Sequence, residues 1–231
     1  MRLVTTFTFI LLLVACTVPK TAAVVTYTLV QLKTGSCQEP LTKAESATIF
    51  GGHFANMGRL AREGSLLVAG PYGKEKSDPA LRGLFVLDTA DREQAEKLAA
   101  TDPGFVAGLF RFEFASLTTA APLRALRVAD LAAHDAIVAS GRTPSPGEGC
   151  RNYVLLSVEN GDAAAAALAG NAAVLAFARL DGRRALLWLD AKDKAAASAL
   201  LRPFAARLGA FQLDEWFGSG LLADLPTLAG C

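Results

Sequence analysis

Two runs of strand-helix-strand-strand-helix-strand patterning, over residues 24–116 and 150–220, predict an α+β fold. The architecture expected is two ferredoxin-like βαββαβ repeats packed as an intrachain pseudo-dimeric α+β barrel. Three observations carry it. Apolar and β-branched segments bounded by turn residues recur in one order. A helix-period stripe runs through residues 42–63. The order returns after a Gly/Pro/Ser-rich linker. A ferredoxin-like sheet covers one face with its helices and leaves the other apolar, so two such sheets can cover each other.

The first repeat reads as follows. Residues 24–33 (VVTYTLVQLK) are β-branched and partly alternating, a strand that Thr34-Gly35-Ser36 breaks. Residues 42–63 form a helix, with Ile49, Phe50, Phe54, Met57, Leu60 and Ala61 at three- and four-residue steps. Thr42 and Glu45 fit a capping box, and Gly64 ends the helix. A short strand at 65–69 stops at Gly70-Pro71. A polar loop (72–80), a strand (82–87), an acid-first helix (91–100) and an alternating strand (110–115) complete the unit.

A connector (117–149) follows, holding a helix at 123–140 and a linker at 141–149. The second repeat has a strand at 152–159 and an alanine-rich helix at 162–169. Strands at 174–180 and 183–189 make a hairpin about Asp181-Gly182. A helix at 190–208, interrupted near Pro203, and a strand at 210–217 close it, and residues 221–231 are a tail.

The N-terminus carries Arg2 and then an apolar run from Val4 to Ala15, about a dozen residues. That matches the apolar core of a signal peptide and falls short of the roughly 20 residues a membrane span requires. Leu13-Val14-Ala15-Cys16 resembles a bacterial lipobox, which would make Cys16 the lipid anchor and first mature residue. The alternative is an ordinary secretory peptide, residues 1–23, cut after Ala23. Either form places the protein in the bacterial cell envelope: periplasm-facing and lipid-anchored to the outer membrane, or secreted into the periplasm. The membrane would be met only through the anchor. Cys37, Cys150 and Cys231 then sit in an oxidising compartment, where any one of three single disulfides could form.

A formal charge of +1 with no basic block excludes the electrostatic footprint of nucleic-acid binding. No metal constellation, phosphate-cradling glycine loop or nucleotide fingerprint is present, so no cofactor and no metal ligands are expected.

His53 falls on the apolar stripe, one turn from Ile49 and from Met57, and so faces the sheet. Asp102 lies in the turn before the last strand of its repeat. Together they suit a general acid/base pair, Asp102 fixing the imidazole tautomer and the free nitrogen moving a proton. The bland alternative is a histidine satisfied by a carboxylate without turnover, with Asp102 as a turn or cap residue before Pro103. Ser36, Tyr72 and Arg82 lie at loops and strand ends that could ring the same cleft as ligand-binding residues. His134 reads as a surface helix residue. Phe110, Phe112, Phe114, Trp188 and Trp216 read as core, and Gly70-Pro71 as a requirement of backbone shape.

His53, Gly64, the run Leu66 to Pro71, the run Gly83 to Leu87, Asp102-Pro103 and Gly108 resemble the YciI-like (YCII-related) family over residues 27–116. The resemblance implies a dimeric α+β barrel of ferredoxin-like halves. It implies a His-Asp pair, carried here by His53 and Asp102. It also implies small-molecule binding with lyase or isomerase chemistry, the family including a dehydrochlorinase of a chlorinated hydroxyhydroquinone. The second repeat has Arg202-Pro203 where the first has Asp102-Pro103, and no histidine. It is expected to close the barrel as a structural partner. The functional alternative is a non-catalytic envelope binding or structural protein that keeps the fold.

Overall fold

Strand β1 (Val25–Thr34) is apolar on both faces, and the architecture follows from that. Tyr27 and Leu29 enter one buried cluster and Val30 and Leu32 another, so each face of this strand meets a separate core. The computed structural model describes residues 23–37 and 40–228. After β1 come α1 (Lys43–Arg62), β2 (Leu66–Pro71), β3 (Leu81–Leu87), α2 (Arg92–Ala99), α3 (Pro103–Val106), β4 (Phe110–Thr119) and α4 (Leu123–Ala139). Then follow β5 (Cys150–Val158), α5 (Gly161–Leu168), β6 (Val174–Leu180), β7 (Ala185–Leu189), α6 (Lys194–Leu201), a 3₁₀ turn (Arg202–Phe204), α7 (Ala205–Leu208) and β8 (Phe211–Ser219). A second 3₁₀ turn (Gly220–Asp224) and α8 (Leu225–Leu228) end the described chain.

The strands make one eight-stranded antiparallel sheet in the order β2-β3-β1-β4-β6-β7-β5-β8. The fold is α+β, and the sheet curls into a nearly closed barrel. Its inner face buries Leu29, Leu84, Leu117, Tyr153, Leu155, Trp188 and Trp216. Outside, one cluster packs under α1 and α2 (Leu60, Ala95) and another under α5 and α6 (Ala164, Ala197).

The two ends of the sheet, β2 and β8, meet at a seam. Tyr72 bridges to Trp216, and Gly73 N–H donates to Glu215 O at 2.7 Å. Trp216 Nε1 donates to Gly70 O at 3.0 Å, and the backbone N–H and the hydroxyl of Ser77 both donate to the Asp214 carboxylate. Gly70 is required here. A Cβ at that position would stand 2.6 Å from the Trp216 ring and press on the carbonyl of Phe217. The α4 helix packs on β2 beside the seam.

Several boundaries differ from those the sequence suggests. β4 does not stop at 115 but runs to Thr119, because Leu117, Thr118 and Thr119 pair with Leu180, Arg179 and Ala178 of β6. The connector thus begins inside the sheet. The 181–184 turn takes Arg183 and Arg184 out of the second hairpin strand, since Leu180 N–H reaches over to Arg184 O. The helix expected from 190 starts at Lys194, where the Asp193 side chain caps it by accepting from Ala196 N–H. The expected signal segment up to residue 22, Cys16 included, lies outside the described residues, as does Cys231. Cys150 carries a free thiol. Among the described residues no helix is long and apolar enough to cross a membrane.

Candidate functional site

α1 is anchored at its N-terminus by the capping box: Thr42 Oγ1 accepts from Glu45 N–H, and Glu45 accepts from Thr42 N–H at 2.8 Å. On the face that meets the sheet, His53 is 7% exposed. Asp102 is the N-cap of α3, its Oδ1 accepting from Gly104 N–H at 2.7 Å, with Pro103 in the first helical turn. The structure brings the two together. His53 Nδ1 lies 2.7 Å from Asp102 Oδ2, and Asp102 is fully buried.

Two glycines make that approach possible. A Cβ at Gly52 would stand 3.0 Å from Pro103 Cγ, so a side chain there would press α3 away from α1 by a few tenths of an ångström. A Cβ at Gly104 would stand 2.5 Å from the Phe110 ring. The imidazole occupies a cage of four phenylalanines. Phe85 stacks on it at 6.0 Å between centroids with 23° between planes, Phe54 and Phe110 lie at 5.3 Å, and Phe50 is edge-on at 6.4 Å. Phe54 itself is 64% exposed.

The hydrogen-bond pattern assigns the tautomer. One oxygen of the carboxylate is occupied by a backbone N–H, and the other faces Nδ1, which is therefore the donor. In the neutral ring Nε2 then carries the lone pair, and among the described residues it has no hydrogen-bond partner. A basic nitrogen oriented by a buried carboxylate can accept a proton from a ligand and return it.

Tyr72 and Arg82 are not gathered around this pair. Tyr72 is buried at the seam, its hydroxyl accepting from Gln31 Nε2 and its ionisation pushed up by burial. Arg82 donates to Pro79 O at the exposed barrel end. Ser36 lies beside Gly108. His134, half-buried on α4 near Asp135, lines the groove described below rather than this pair. Sequence reasoning missed Gly52, Gly104 and the Phe85 wall. The signal for Gly52 was a Gly-Gly pair inside a helix, where glycine is unfavourable by about 1 kcal/mol and calls for a packing reason.

A groove of about 500 Å³ runs between α1, β2 and α4 toward Cys150 and Ser219. Phe54 belongs both to it and to the histidine cage, but neither His53 nor Asp102 lines it. At its far end Asp130 accepts from Ser219 Oγ at 2.5 Å, and burial raises the pKa of this carboxyl against the opposing effect of that bond. Among the described residues no group of three or more His, Cys, Asp or Glu forms a metal-binding cluster. Scanned against protein-family models, curated proteins and solved structures, the chain matches none of them.

Proposed function

We propose that the chain is a YciI-like envelope protein of two ferredoxin-like repeats that binds a small molecule and moves a proton with His53 and Asp102. The strand order supports the repeat. β2-β3-β1-β4 and β6-β7-β5-β8 place the second, third, first and fourth strands of each half in the same sequence across the sheet. The observation that carries the function is the 2.7 Å contact between Nδ1 and a carboxylate whose other oxygen is already held by Gly104 N–H. It leaves Nε2 as the basic atom. Asp102 positions the ring; His53 Nε2 takes an acidic C–H proton from a small ring compound. Returning the proton at another carbon gives isomerisation, and expelling a leaving group gives elimination. Placement in the envelope rests on the N-terminal apolar run and the Leu13–Cys16 pattern.

A second reading, a non-catalytic envelope protein that keeps the fold, is favoured by the enclosure of the imidazole in its phenylalanine cage. Turnover requires Phe54 or Phe50 to swing aside. A thermal-shift panel of lactones, phenols and hydroxyquinols on the native chain and on His53→Ala separates the two. A compound that stabilises only the native chain supports the proton-transfer site. No shift with any compound, together with a large fall in melting temperature for His53→Ala, sinks it and leaves the structural role.

A further inference from the structure

We propose that the groove between α1 and α4 binds a single-chain acyl carboxylate, its chain along β2 and its carboxylate on Arg62 and Arg127. The groove's 500 Å³ lies within the roughly 300–1,000 Å³ of small-molecule sites. Its walls are apolar (Met57, Ala61, Leu67, Leu131 and Ile137), which suits a hydrocarbon chain and offers little to a polar ligand.

The headgroup follows from the arginines. Other arginines near this part of the fold have acidic partners: Arg59 with Glu63, Arg124 with Asp88, Arg142 with Glu148. Arg62 and Arg127 have none among the described residues. Arg127 Nη1 donates to Ala61 O at 3.1 Å, which draws its guanidinium to the last turn of α1, the turn that carries Arg62, and both arginines line the groove. Its Nε is buried without a partner. A guanidinium offers five N–H donors, and leaving buried ones unpaired is costly. A carboxylate accepts two of them in parallel, a match that neither an alcohol nor an amine provides. The acids that line the groove do not fill this role. Glu148 is held by Arg142, and Asp130 is turned toward Ser219.

This site is independent of the His53–Asp102 proposal, and the test keeps them apart. The purified full-length chain is titrated calorimetrically with decanoate, decanol and decyltrimethylammonium, each below its micellar concentration. Decanoate is expected to bind about tenfold or more tighter than decanol, the worth of a charge-assisted bidentate pair. Arg127→Gln and Arg62→Gln are each expected to erode that preference while leaving decanol unchanged. Arg62 is exposed, so its variant carries the test if Arg127→Gln fails to fold. Gly58→Leu fills the groove from a helical position where a Cβ meets only Arg62 Nη1, at 3.4 Å, and is expected to weaken both ligands. His53→Ala is expected to change neither. Absence of decanoate binding, equal affinity for the three compounds, or tightest binding of the cation overturns the proposal. So does binding that survives Gly58→Leu and is lost in His53→Ala, which would move the ligand to the histidine.

Discussion

Replacing Asp102 tests the site most directly, because asparagine and alanine remove different things. Asp102→Ala removes the cap that accepts from Gly104 N–H, worth about 1 kcal/mol. It also leaves the buried Nδ1–H of His53 without an acceptor, at about 1–3 kcal/mol. The sum is about 2–4 kcal/mol. For a chain of 231 residues this corresponds to a fall in melting temperature of about 5–15 °C. Asp102→Asn keeps the shape and the acceptor for Gly104, and loses only the charge assistance, about 1 kcal/mol or some 2–4 °C. It presents an N–H₂ to Nδ1, however, so the ring must take the other tautomer and Nε2 must carry the proton. The chain has two histidines, so long-range ¹H–¹⁵N spectra above the ordinary histidine range of about pH 6.5 resolve the change. Wild type should show a pyridine-type Nε2 for His53, and Asp102→Asn a pyrrole-type one. Equal stability loss in the two variants, or an unchanged tautomer in Asp102→Asn, would refute the assignment of donor and acceptor. Full stability in Asp102→Ala would refute the buried network itself.

Other outcomes follow from the same geometry. Gly70→Ala drives a methyl into the Trp216 ring and the Phe217 carbonyl, and is expected to cost about 1–3 kcal/mol or more, read as a lower urea midpoint. Asp130 and Glu113 should respond to pH with opposite signs. Burial raises the pKa of the Asp130 carboxyl, so its ionisation opposes folding, and stability falls as pH rises from the ordinary aspartate range through the raised value. Asp130→Asn should therefore melt higher than wild type at about pH 7, with the difference vanishing near pH 3. The Lys33 ammonium holds Glu113 below the usual carboxylate range, so its contribution is present above that range and is lost as pH falls through the lowered value. Glu113→Gln should thus melt slightly lower at about pH 7 and equally at low pH. The effect should stay under about 1 kcal/mol, because the pair is solvent-screened. A rise in Glu113→Gln, or a fall in Asp130→Asn, would reverse the assigned causes.

What the sequence disclosed was local. The capping box at Thr42 and Glu45, the stop at Gly64 and the stripe that points His53 at the sheet depend on residues a few positions apart, and periodicity reveals them. The end of β4 was hidden because Leu117 to Thr119 are strand only by virtue of β6, some 60 residues later. The four-residue α3 is too short to show a period, although Asp102-Pro103-Gly104 carries a cap, a fixed φ and a bare Cα in succession. The cage was illegible for a different reason. Phe85 and Phe110 alternate along their strands like any core residue, and only the register between β1, β3 and β4 sets them against one imidazole. Tyr72 and Arg82 lie at strand ends that could ring that cleft, whereas the strand order carries them to the seam and the barrel end.

The seam also bears on how the ends of the sheet are protected. β2 and β8 are the two termini of the sheet order, and among the described residues the Tyr72–Trp216 bridge and the Trp216–Gly70 bond join them at one end, while α4 packs over β2. The residues at stake, Leu66 to Ala69, are apolar and uncharged, the composition that propagates intermolecular sheet when uncovered. Loosening the Trp216–Gly70 contact is therefore expected to declare itself first as concentration-dependent aggregation, with turbidity rising well below the temperature at which the rest of the barrel melts.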